Sequence, residues 1–121
     1  MWAGQITAFL GALHLVSTTV MSMDHVPAWF AGQLWFPKNA LTNLTPEQGA
    51  FWLTIGSFGL PLLSLGLLVG WLGRRGTLPP MFVAWMLGGW GTLGAALLEP
   101  TPFILTWVPA AMLLRAARKS A

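Results

Sequence analysis

Asp24, His25, Glu47 and Glu99 are the side chains of this sequence best suited to acid–base chemistry, and Asp24, Glu47 and Glu99 are its only acids. A carboxylate held in an apolar, aromatic cleft keeps its proton and serves as a general acid. Tryptophan faces, of which the chain has eight, stabilise a developing cation nearby. Such parts protonate, isomerise, cyclise or hydrate a lipophilic alkene or epoxide, the chemistry of membrane isomerases and cyclases of terpenoids and sterols. In this reading Glu99, reached through the apolar run 93–98, is the acid, and Asp24, with more polar neighbours, is the base or stabiliser. His25 and Glu47 complete the catalytic set, and His14, Thr18, Trp29, Trp85 and Thr92 bind the substrate.

Each of these residues also has a plainer reading. Glu47 complements the charge of a helix N-terminus. Asp24 is solvated at a helix end, Glu99 opens a Glu-Pro turn, and His14 makes a hydrogen bond between helices. Tryptophans form an interfacial belt. No metal or cofactor is expected. The two histidines would lie about 16 Å apart along one helix, too far to share an ion. The absence of cysteine removes disulfides, thiolate metal sites and thiol redox chemistry.

The elements that position these groups are read as membrane helices. Hydrophobic residues make up 55% of the 121 and charged ones 7%, with a mean hydropathy of +0.68. A water-soluble domain carries about 25% charged residues, so the composition calls for an apolar solvent. The net charge of +3 reflects a shortage of acids, and the cations sit at helix ends, with no basic face for nucleic acid.

Four spans are expected, at about residues 2–23, 50–72, 81–98 and 103–117, forming a single all-α domain, an integral membrane four-helix bundle. The first lacks a basic leader and a small-residue cleavage site and is read as a retained span. On it Gly11, His14, Thr18, Met21 and His25 share one face, and Gly4, Ala8 and Gly11 form a small-residue edge for close packing. The loop 24–45 holds two short aromatic stretches and is expected to lie in the membrane interface as a short helix or hairpin, or as a lid. Thr45-Pro46-Glu47-Gln48 reads as an N-cap, a first-position proline and a capping box. Pro61 predicts a kink in the second span, Gly66 and Gly70 a GxxxG pair, and Gly88, Gly89, Gly91 and Gly94 a close approach by the third. His14, Thr18, Thr54, Ser57 and Thr92 are expected to line a cleft below the acids.

Arg74, Arg75, Arg115, Arg118 and Lys119 fall on one side of a four-span chain and Lys38 on the other. The excess places both termini in the cytoplasm of a bacterial inner membrane. The segments Gly11-Ala12-Leu13-His14-Leu15 and Trp107-Val108-Pro109-Ala110-Ala111-Met112-Leu113-Leu114 resemble small four-span membrane proteins of high-GC, actinobacterial-type bacteria, a group that implies an architecture and no activity. The functional expectation is binding of a lipophilic small molecule at the outer end of the bundle, with acid–base chemistry by the carboxylates. Two other classes compete. One is an accessory or assembly subunit of a larger membrane complex or homo-oligomer. The other is a small proton-linked exporter, although the membrane-embedded glutamate of small multidrug transporters is replaced here by His14.

Overall fold

The computed structural model describes residues 2–35, 43–97 and 102–120, and every regular element among them is helical. Helix α1 (Trp2–Met21) has 20 residues, about 30 Å of rise, the thickness of a bilayer's hydrocarbon core. Three of its four hydroxyls turn inward on its own backbone: Thr7, Ser17 and Thr18 donate to the carbonyls of Ala3, Leu13 and His14 at 2.8, 2.7 and 2.6 Å. Polar side chains on an apolar helix are thereby satisfied locally. A 3-10 turn (Met23–His25) follows, and then the short helix α2 (Val26–Phe30) with Pro27 in its first turn. A short helix is therefore present in the stretch between α1 and residue 45 that was expected to hold a helix or hairpin.

Helix α3 (Pro46–Leu53) starts as its sequence requires. Thr45 accepts the Gln48 N–H, and the Gln48 side chain accepts the Thr45 N–H at 3.0 Å. The stretch 50–72 is not one kinked span. The helix stops after Leu53 and restarts as α4 (Gly59–Arg74). At the break the Phe51 carbonyl accepts the N–H groups of Thr54 and Gly56, while the Thr54 hydroxyl reaches back to the Ala50 carbonyl at 2.9 Å. Pro61 stands in the first turn of α4, where its missing N–H has no helical partner to lose, so the proline marks a restart and not a kink. The C-terminal helix repeats this arrangement. A 3-10 segment (Pro102–Thr106) leads into α6 (Trp107–Ser120), with Pro109 in its first turn.

Helix α5 (Met81–Leu97) pairs with α6, and α1 pairs with α4 and also touches α6. The α1·α4 contact is antiparallel and built on glycine. A methyl added at Gly11 would meet the Leu63 nitrogen at 2.5 Å, and one at Gly4 would meet the Gly66 oxygen at 2.8 Å. The small edge of α1 and the GxxxG pair of α4 are thus each other's partners. Gly88 and Gly89 of α5 do not share this closeness: a methyl on Gly88 would touch only Ala110, at 3.4 Å, and one on Gly89 would meet nothing within 4 Å, while Gly91 is buried.

Ala3, Val69, Ala84 and Leu113 form a small core shared by all four long helices. It lies near the ends that carry Arg74, Arg75 and Arg115, so the cationic segments gather at one end of the molecule. Among the described residues α1 is the one helix long and apolar enough to cross a membrane; α4 and α5 are apolar and shorter.

Candidate functional site

The four long helices share a small core. Helices α4 and α5 follow one another in sequence, yet an open groove of about 460 Å³ lies between them. Phe58, Pro61, Leu62 and Leu65 form one wall, and Phe82, Val83, Met86, Leu87 and Trp90 form the other. The cause lies in the phase of α4. Gly59, Gly66 and Gly70 fall on one face and bring α1 close, leaving Pro61 and Leu65 on the far side and Leu62 at its edge. The bulky lining side chains of α5 stand across the groove from them. Among the described residues no carboxylate lines this groove.

Behind Phe58 lies His14. Its ring stacks on Phe58 with centroids 4.2 Å apart, and Phe58 in turn meets Trp90 edge-on at 4.8 Å. The imidazole Nε2 is 3.0 Å from Ser57 Oγ. The Ser57 hydroxyl has one proton and donates it to the Thr54 carbonyl. It therefore accepts from His14, which places a proton on Nε2. Gly59 makes the arrangement sterically feasible, because a methyl there would lie 2.9 Å from His14 Cδ2. His14 thus seals the break between α3 and α4, and its ring supports one wall of the groove.

The remaining site residues fall in three places. At the end of the molecule away from Arg74 and Arg75, His25 Nδ1 and Glu47 Oε1 are 4.0 Å apart on partly exposed side chains, and Asp24, beside His25 in the chain, is exposed. Trp29 is buried there. Its indole N–H donates to the Glu47 backbone carbonyl at 2.8 Å, and its ring meets Phe51 edge-on at 5.8 Å. Thr18 bonds to its own helix, beside His14. On α5, Thr92 accepts the indole N–H of Trp107 at 2.9 Å and ties α5 to α6, while Trp85 is 60% exposed and outside the groove lining.

Glu99 and Lys38 lie outside the described residues. The polar cleft expected from His14, Thr54, Ser57 and Thr92 does not form: Thr54 and Ser57 bond within the break, and Thr92 faces α6. Sequence reasoning missed Phe58 and Trp90. The signal available for Trp90 was its place on one stripe with Phe82, Val83, Met86 and Leu87.

Among the described residues no group of three or more His, Asp or Glu side chains is placed to hold a metal ion. No curated protein and no solved structure matches the chain. The model of a family of unknown function, DUF6463, matches residues 1–121, and the chain belongs to that family.

Proposed function

We propose that this protein is a small integral membrane protein of the bacterial inner membrane, with both termini cytoplasmic, that holds a lipophilic small molecule in the groove between α4 and α5. The observation that carries the reading is the groove itself. Its volume of about 460 Å³ falls in the range of small-molecule sites, and its lining is apolar throughout. The membrane setting is supported by what the helices leave uncovered. Phe9, Val16 and Val20 on α1, Leu67 and Leu68 on α4, and Met86 and Leu93 on α5 are all more than half exposed. In water such surface drives association, whereas lipid chains solvate it.

The outer cluster of Asp24, His25 and Glu47 is separate from the groove. Acid–base chemistry on a ligand would require the reacting carbon to pass beyond Phe58, which closes that end. Binding is therefore the function that the groove supports, and the carboxylates add a reaction only to a ligand that extends past it.

The test is native mass spectrometry of detergent-purified protein, with extraction and identification of co-purifying lipophilic molecules. Val83→Trp and Leu65→Trp fill the groove from its two walls. Loss of the bound species in both variants, with melting unchanged, supports the proposal. A species bound equally by wild type and both variants would place it elsewhere on the surface and refute the groove.

A further inference from the structure

We infer that the end of the molecule carrying Arg74, Arg75, Arg115, Arg118 and Lys119 is a binding surface for the phosphates of anionic phospholipids in the cytoplasmic leaflet. Such lipids sit beside α4 and α6 there in preference to zwitterionic ones. The inference rests on the membrane setting proposed above and not on the groove.

Three observations carry it. The first is a change of chemistry along one outward stripe of α4. Leu67, Leu68 and Trp71 are exposed on it and are followed, at helical spacing, by exposed Arg74 and Arg75. Helix α6 makes the same change. Pro109, Ala110 and Leu113 are its packed residues, and on the opposite face exposed Val108 and Ala111 give way to exposed Arg115, Arg118 and Lys119. A stripe that is apolar and then basic matches a hydrocarbon chain followed by an acidic headgroup.

The second observation is depth. Val69 of α4 and Leu113 of α6 belong to one core, and both helices end on the same side of it. Arg74 follows Val69 by as many residues as Arg118 follows Leu113, a rise of about 7.5 Å along each axis. Arg75 and Lys119 come next on their helices. The two stripes therefore turn basic at one level, as a leaflet's headgroup layer requires.

The third observation is electrostatic. Among the described residues none of the five cations has a carboxylate partner, and the His25–Glu47 contact is at the other end of the molecule. The Arg75 guanidinium lies over the Trp71 ring at 4.2 Å, which holds its planar fork where the stripe turns basic. A phosphate supplies the missing negative charge and accepts paired N–H groups from an arginine. Basic clusters at this position of a membrane helix attract anionic lipid, whereas a zwitterionic headgroup brings its own cation.

The experiment places the full-length protein in phosphatidylcholine vesicles with a trace of phosphatidylglycerol or phosphatidylcholine, each labelled with pyrene on the acyl chain, and reads energy transfer from tryptophan. For wild type, phosphatidylglycerol is enriched at the protein by about fivefold for each cation engaged, and added salt lowers the enrichment. The pairs Arg74→Gln with Arg75→Gln and Arg115→Gln with Arg118→Gln each reduce it, and Arg75→Lys, which keeps the charge without the fork, reduces it less than Arg75→Gln. Melting in detergent identifies the folded variants, and should one pair fail to fold the other carries the test. Equal transfer to both lipids in inserted wild type, or an enrichment that the folded variants keep, overturns the inference and leaves the groove reading intact. A rise in melting temperature with inorganic phosphate as large as with short-chain phosphatidylglycerol overturns the lipid in favour of a free anion. Wild type stripped from the vesicles by alkaline carbonate overturns the membrane setting and this inference with it.

Discussion

Gly66 of α4 lies against Ala8 of α1 so closely that a methyl on Gly66 would stand 2.5 Å from the Ala8 Cα. Backbone, not side chain, is what each helix meets here, so neither partner has a rotamer with which to yield. Gly66→Ala and Gly4→Ala are expected to destabilise the protein by about 1–3 kcal/mol or more, the cost of overpacking. Gly89→Ala has open space around it and is expected to be neutral or stabilising by up to about 1 kcal/mol, because alanine is the better helix former. Thermal melting in detergent separates the two groups. Equal losses at Gly66 and Gly89 would show that the α1·α4 contact is not where the close packing lies.

The His14–Ser57 bond joins α1 to the break, and the expected coupling between these residues is about 0.6–1.7 kcal/mol, as for hydrogen bonds between membrane helices. A double-mutant cycle of His14→Ala with Ser57→Ala measures it directly. His14→Ala alone also loses the Phe58 stack, worth about 0.5–1.5 kcal/mol, so it should cost more than Ser57→Ala. Additive losses would mean that the two side chains are neighbours without a bond.

At the outer end, Trp29 and Glu47 touch through the backbone of one and the indole of the other, and their side chains should respond differently. Trp29→Ala removes a buried ring and its hydrogen bond, a loss of about 3–5 kcal/mol by analogy with core aromatics. Glu47→Gln keeps the carbonyl that accepts the indole and loses a 4.0 Å contact with His25 and the charge in the first turn of α3, so its effect should stay within about 1 kcal/mol. Limited proteolysis between residues 31 and 45, with melting, reports both. Cleavage in Trp29→Ala no faster than in wild type would show that α2 is held by other contacts.

Topology follows from the cations. Reporters fused after Ala121 and within residues 73–76 are expected on the cytoplasmic side, and one within residues 39–43 on the opposite side. A C-terminal reporter facing outward would invert the charge argument.

Much of the architecture was legible, because capping and periodicity are local. Thr45 and Gln48 announced the start of α3 within four residues, and glycine spacing marked the contacting edges of α1 and α4. Partnership between those edges was not legible, since a small-residue stripe states that something approaches and not what. Pro61 was read as a kink in a continuous helix, yet the first turn tolerates proline, and the break falls ahead of it at 54–58. The groove escaped detection for a different reason. It is the space between two helices whose bulky faces meet, and neither Phe58 nor Trp90 differs from an ordinary apolar residue when α4 and α5 are read separately.

The glycine seam between α1 and α4 also orders events in time. On the membrane reading, helix α1 would enter the bilayer before the edge that covers Gly4 and Gly11 has been synthesised, because α2 and α3 are made first. The hydroxyls of Thr7, Ser17 and Thr18, bonded to its own carbonyls, would let it stand there without a partner. Helices α5 and α6 follow later in the chain. A nascent chain arrested after Arg74 thus holds both sides of the seam and only one wall of the groove, so the groove is the last part of the molecule to be completed.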